Sequence, residues 1–304
     1  MDLSVKIGST TFTNPLGVAS GTFGYGSEYE KLIDLATIGT LYTKAVTRRP
    51  RPGNSIPRII ETASGLLNSI GLANVGMVGF VEQKLPFLAT LSCSVVVNVA
   101  GDDPDEYREV VEYLDRHDTV NTIKGYEVNI SCPNVKCGGL ALGTDPHQVE
   151  GLARILKNAT PKPIIMKLTP NVTDITVPAR AAEAGGADAV SCINTLVGMV
   201  IDTRRKKTVL PAGTGGLSGP AIFPVALAMV YKTARAVTIP VIGLGGIMTA
   251  DHAVQFLLAG ASAVQVGTAN FVDPNIAVDV LRGIEAYAET ERLASIRDFH
   301  ALLG

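Results

Sequence analysis

Apolar runs of four to six residues recur along the chain, separated by polar or glycine-containing segments. Most are too continuous for strands with one wet face; they describe strands buried on both faces, as in a parallel sheet. They predict strands at 16–20, 41–46, 95–99, 126–130, 164–168, 189–193, 240–243 and 263–266. Helices are predicted between them at 27–36, 77–88, 104–116, 146–158, 174–184, 221–236 and 250–259, with 274–288 closing the set. Asp145-Pro146, Asp273-Pro274 and Thr249-Ala250-Asp251 read as helix starts, and Gly185 and Gly260 as left-handed helix ends. Residues 4–7 and 10–12 read as a short hairpin ahead of the main fold. Eight βα units without a linker predict a single (β/α)8 TIM barrel domain over residues 1–304. The alternative is a doubly wound open sheet, but the first βα turn, ASGTFGYG, lacks the G-x-G-x-x-G fingerprint. The connections 48–75 and 195–220 and the stretch 131–145 are long, and read as lids or binding loops of the active face.

In a parallel barrel the ligand sits at the carboxyl ends of the strands. Five of the runs close there on a polar residue: Lys44, Asn98, Asn129, Lys167 and Asn194. Two more end on glycine, VIGLGG and VQVGT, and no Asp or Glu stands at these ends. This rim suits an anion and a hydrogen-bonding ring, not a metal. A strand-end lysine ordinarily snorkels to water, and a strand-end asparagine ordinarily makes a turn. Two cations and three amides on one rim instead fit a carboxylate or anionic ring and a planar heterocycle with alternating donors and acceptors.

The segments after the seventh and eighth strands, GLGGI (243–247) and QVGTAN (265–270), with GLSGP (216–220) before a helix, form a candidate phosphate site. Taken singly, such glycines make only tight turns. Cys132 follows the fourth strand in VNISCPNVKCGG, on the face where the ligand belongs. A lone thiol is by default inert; near an assisting charge its thiolate can act as a general base.

Composition narrows the function classes. With 46% hydrophobic and 18% charged residues, the chain can bury a large core and is not disordered. A net charge of -2 gives no reason to expect nucleic acid or an anionic membrane as partner. Cys93, Cys132, Cys137 and Cys192 form neither a disulfide framework nor a zinc or cluster motif, which fits reduced thiols in a cytoplasmic protein. The polar N-terminal stretch reads as neither signal nor transit peptide. No apolar run approaches the roughly 20 residues of a membrane span.

Together VNISCPNV, TKAVT around Lys44, LLNSIGLAN (66–74), IIMKLTP, INT and GGIMTADHAVQFLLAGASAVQVGTA resemble dihydroorotate dehydrogenases, over essentially the whole chain. The cysteine of the SCPN loop resembles class 1, since class 2 carries serine there and an N-terminal membrane extension. The regions 201–220 and GTANFVDP are similar to class 1B rather than to the fumarate-using class 1A. The resemblance implies oxidation of dihydroorotate to orotate in pyrimidine biosynthesis, with FMN at the barrel mouth. Ser20, Lys44, Ala45, Asn98, Asn129, Lys167 and Ile193 would contact the flavin, and Gly219, Gly245, Gly246, Gly267 and Thr268 its phosphate. The substrate carboxylate would meet Lys44 and the loop of Asn68, Ser69, Ile70, Gly71 and Leu72. Its ring would pair with Asn68, Asn129, Asn134, Asn194 and Thr195. Cys132 would remove the C5 proton while the C6 hydride passes to flavin N5, and Lys167 would stabilise the reduced ring. Class 1B further implies a homodimer joined to an electron-transfer subunit carrying FAD and a 2Fe–2S cluster, in a heterotetramer that reduces NAD. The competing readings are a class 1A enzyme, another flavin barrel, and a flavin-free barrel lyase or isomerase binding a sugar phosphate.

Overall fold

The computed structural model describes residues 1–131 and 142–303. Eight parallel strands close into a barrel: β3 (Leu16–Val18), β4 (Thr40–Tyr42), β7 (Ser94–Val99), β8 (Ile123–Asn129), β9 (Ile164–Lys167), β10 (Ala189–Cys192), β15 (Val241–Leu244) and β16 (Ala263–Val266). They neighbour one another in chain order, and the circle closes where β16 pairs with β3, Val264 opposite Leu16. Most strand residues are fully buried, as continuous apolar runs require when helices cover the outside and side chains fill the inside. The predicted N-terminal hairpin is present as β1 (Val5–Ile7) and β2 (Thr10–Phe12).

The helices form where apolar spacing and caps agree. In α3 (Pro104–His117), Asp103 accepts from the Glu106 N–H, Pro104 opens the first turn, and Tyr107, Val110, Val111 and Leu114 make the buried stripe. In α4 (Pro146–Ala159) the cap is Asp145 and the stripe Val149, Leu152, Ala153 and Leu156. In α7 (Ala250–Leu258) Thr249 caps through the His252 N–H. α5 (Thr176–Ala184), α6 (Phe223–Ala234) and α8 (Ile276–Thr290) complete the later units.

The prediction is corrected at several places. Residues 27–36 are not an α-helix. The left-handed Gly21, Gly24 and Gly26 precede a series of turns, with Tyr29 N–H donating to Gly26 O and Leu32 N–H to Tyr29 O, and Asp34 then caps the single 3-10 turn Leu35–Thr37. The predicted helix 77–88 divides into α1 (Gly76–Gln83) and α2 (Leu85–Leu88), with Pro86 in the first turn of α2. Asp273 does not cap α8; it accepts from the N–H of Asn275, the residue immediately before the helix. At the end of α5 the left-handed residue is Gly186, not Gly185.

The two long connections are more than loops. They supply β5 (Ile59–Thr62), β6 (Gly65–Asn68), β11 (Leu196–Gly198) and β14 (Gly215–Ser218), an antiparallel sheet in the order β11-β14-β6-β5. A small ribbon of β12 (Ile201–Asp202) and β13 (Lys207–Thr208) extends from it. Leu66 and Asn68 of β6, and Ser218 of β14, line the barrel mouth, so this sheet roofs the carboxyl ends of the strands.

Candidate active site

One cleft of about 300 Å³ opens at the barrel mouth and gathers most of the predicted site residues. Ser20, Lys44, Ala45, Asn98, Asn129, Lys167, Ile193, Asn194 and Thr195 line it from the strand ends. Gly219, Gly245, Gly246, Gly267 and Thr268 line it from the glycine segments. From the roof come Asn68, Ile70 and Leu72. Ser69 and Gly71 are not on its wall: the Ser69 hydroxyl accepts from Asn54 Nδ2 at 2.7 Å, and Gly71 lies against Asn54. Cys132 and Asn134, like Cys137, lie outside the described residues. Cys93 and Cys192 are free and buried, and burial pushes their thiols up to about 11 and about 12.

The amides are held in place from behind. Asn194 Nδ2 donates to Asn129 Oδ1 at 3.2 Å, while Asn194 Oδ1 accepts from the Thr195 N–H at 2.9 Å. Asn68 Nδ2 donates to Gly216 O at 3.2 Å across the roof sheet. Tyr107 of α3 donates its hydroxyl to the Asn129 carbonyl at 2.7 Å, tying a helix to the strand end. These bonds engage both ends of the Asn194 amide and, among the described residues, leave Asn129 Nδ2 and Asn68 Oδ1 available to a ligand.

Gly245 and Gly246 of the predicted phosphate site have a conformational or steric reason to be glycine. Gly246 has φ +75, and a Cβ there would stand 2.7 Å from the Phe223 nitrogen at the start of α6. Gly245 has φ +129. Both follow β15, the seventh barrel strand, and Gly267 and Thr268 follow β16, the eighth. Loops in these places bring backbone N–H groups close to a phosphate.

The sequence reading found no carboxylate at the strand ends and missed one just beneath them. Glu127 on β8 is fully buried and accepts from Asn98 Nδ2 at 2.6 Å, Gln265 Nε2 and Ser191 Oγ at 2.9 Å each, and Lys167 Nζ at 3.3 Å. Lys167 Nζ also reaches Ser20 Oγ at 3.2 Å. Burial opposes the charge on Glu127, but the Lys167 ammonium and the Gln265, Asn98 and Ser191 donors outweigh it and hold the carboxyl below its ordinary range. The signal was available: Glu127 stands two residues before Asn129, and period two puts both on the barrel interior. Two buried acceptors, Asn98 Oδ1 and Gln265 Oε1, have no partner among the described residues, and both side chains border the cleft.

Residues 2–287 match the family model described as dihydroorotate dehydrogenase. The chain belongs to the dihydroorotate dehydrogenase family. Among its relatives, a protein of Geotalea uraniireducens is 50% identical over 98% of this chain and 96% of its own length. One of Trichlorobacter lovleyi is 51% identical over 99% and 97%, and one of Alkaliphilus metalliredigens 48% over 100% and 99%. All three are named dihydroorotate dehydrogenase B (NAD(+)), catalytic subunit. Among solved structures, a DHODH of Eimeria tenella in complex with ferulenol superposes with a TM-score of 0.78 over 98% of this chain and 87% of its own, at 22% identity, which supports the barrel fold. No helix among the described residues is long and apolar enough to cross a membrane.

Proposed function

We infer that this chain is the catalytic subunit of an NAD-linked dihydroorotate dehydrogenase, oxidising (S)-dihydroorotate to orotate in pyrimidine biosynthesis with FMN bound at the barrel mouth. The observation that carries this reading is the convergence, in one cleft, of two lysines, four asparagine amides and the glycine loops of a phosphate cradle. Family membership, and the name shared by relatives of about the same length, support it.

The residues present fit FMN. Gly219, Gly245, Gly246, Gly267 and Thr268 suit its phosphate, the unpartnered Asn98 Oδ1 suits a ring N–H, and Lys167 suits the electron-rich pyrimidine edge. When bound, FMN supplies the hydride acceptor for the C6 hydrogen. The chain's own groups do the rest. Lys44 has no acidic partner among the described residues and is available to hold the substrate carboxylate. Asn68, Asn129, Asn194 and Thr195 orient the ring amides, each amide already steered by the bonds described above. Cys132 takes the C5 proton, and the roof sheet covers the site against water. Electrons leave through a partner subunit carrying FAD and a 2Fe–2S cluster and end on NAD, two copies of each chain forming a heterotetramer.

The test is anaerobic: purified chain should be yellow, and dihydroorotate should bleach its visible flavin band. Cys132→Ala should keep FMN and bind orotate while turnover falls by about 10²–10⁴-fold. A colourless protein, or a Cys132→Ala variant at wild-type rate, would refute the cofactor or the base respectively.

A further inference from the structure

Glu127 is not at the mouth and touches none of the space a substrate would fill, yet it organises the cleft's flavin side. Its two oxygens take four donors from four different strands: Asn98 of β7, Lys167 of β9, Ser191 of β10 and Gln265 of β16. A carboxylate is acceptor-only, so each amide must turn its nitrogen inward to it. That choice leaves Asn98 Oδ1 and Gln265 Oε1 as buried acceptors without partners among the described residues. It also draws the Lys167 ammonium to a fixed place between Glu127 and Ser20, at 3.3 and 3.2 Å. Lys167 is 4% exposed, so water screens this pair poorly and the charge of Glu127 is felt beyond it.

We propose that Glu127 is a positioning residue that aims Lys167, fixes the facing of the Asn98 and Gln265 amides, and by partly offsetting the lysine's charge sets the reduction potential of the bound flavin. The proposal rests on the flavin reading of the cleft. Lys167 alone behind the ring would favour added electrons; a fixed anion directly behind Lys167 weakens that pull. The potential is therefore set by a charge pair rather than by one lysine. Among the described residues, the nearby phenol adds no competing anion: Tyr42 is kept neutral, its acidity suppressed by burial and by Glu127 itself.

The experiment is a dye-linked anaerobic titration of the flavin-loaded chain. Glu127→Gln keeps the shape and removes the anion, so the reduced-to-oxidised ratio at fixed ambient potential should rise at least tenfold, about 30 mV for a two-electron couple. Glu127→Asp keeps the charge but withdraws it by one methylene, so the ratio should move in the same direction by less. Ser191→Ala removes one bond from the same carboxylate and no charge, and should leave the ratio within about twofold of wild type. A merely structural network would respond to Ser191→Ala and Glu127→Gln alike, and that result would overturn the proposal. So would an unchanged potential in Glu127→Gln, or in Glu127→Asp if the glutamine variant loses its flavin. Wild type without flavin is a different failure, because it removes the cofactor reading itself.

Discussion

Two lysines occupy the same cleft and have different surroundings, which separates their expected roles. Lys167 is buried against Glu127, while Lys44 is half-buried with no acidic partner among the described residues. Lys44→Ala should therefore weaken orotate binding by the worth of a charge-assisted bond, about 1.5–3 kcal/mol, with FMN retained. Lys167→Ala should lose flavin instead, since it also strands Glu127 as a buried, unpaired charge. Orotate titrations and flavin content measured on both variants check this, and matching phenotypes would contradict it. Away from the site, Asp118 shows how one carboxylate binds a loop. It accepts from the Thr122 N–H at 2.7 Å, the Ile123 N–H at 2.9 Å and Lys162 Nζ at 2.8 Å. Burial raises its pKa, but these donors outweigh burial and lower it overall. A lowered folded-state pKa gives stability that is present above the unfolded value of about 3.9 and is lost as pH falls through the folded one. Asp118→Asn should cost about 1.5–3 kcal/mol at neutral pH and flatten the loss of stability below about pH 4 in denaturant titrations.

At the scale of elements, the roof sheet makes the clearest test. A Cβ on Gly216 would collide with the Thr195 side chain, so Gly216→Ala must push β14 away from the strand end that carries Thr195. Orotate affinity should drop about five- to 150-fold for an overpacking strain of about 1–3 kcal/mol, with little change in flavin content. Unchanged affinity would detach the roof from the substrate. These strands were not legible in the sequence, because TGGLSG reads as turn chemistry and three or four residues give no reliable period. The barrel strands were legible because they are continuous and apolar, and their polar last residues then marked the mouth. That logic found Lys44, Asn98, Asn129, Lys167 and Asn194. It looked only at strand ends, so it passed over Glu127 and Gln265, one layer deeper and hidden inside runs read as apolar. The segment 27–36 misled for the opposite reason: its composition permits a helix, while the glycines before it set a chain of turns.

The described residues gather the predicted site into a single cleft at the barrel mouth, and the sequence holds no dinucleotide fingerprint to receive NAD. The isolated chain should therefore reduce its flavin with dihydroorotate yet pass electrons to NAD poorly. Assays with NAD or fumarate, with and without an electron-transfer subunit, check this. Efficient NAD reduction by the chain alone would remove the need for a relay, and efficient fumarate reduction would place the chain with class 1A. The roof sheet also bears on how such a chain matures. Asn68 and Gly216 are joined across 148 residues of sequence, with β7, β8, β9 and β10 made between them. Pairings this distant form slowly, since the intervening chain must first be ordered. During synthesis β6 emerges long before its partner β14 exists, and must wait as an unpaired edge. Closure of the roof is then a late event of folding, coming after β7, β8, β9 and β10 have been made.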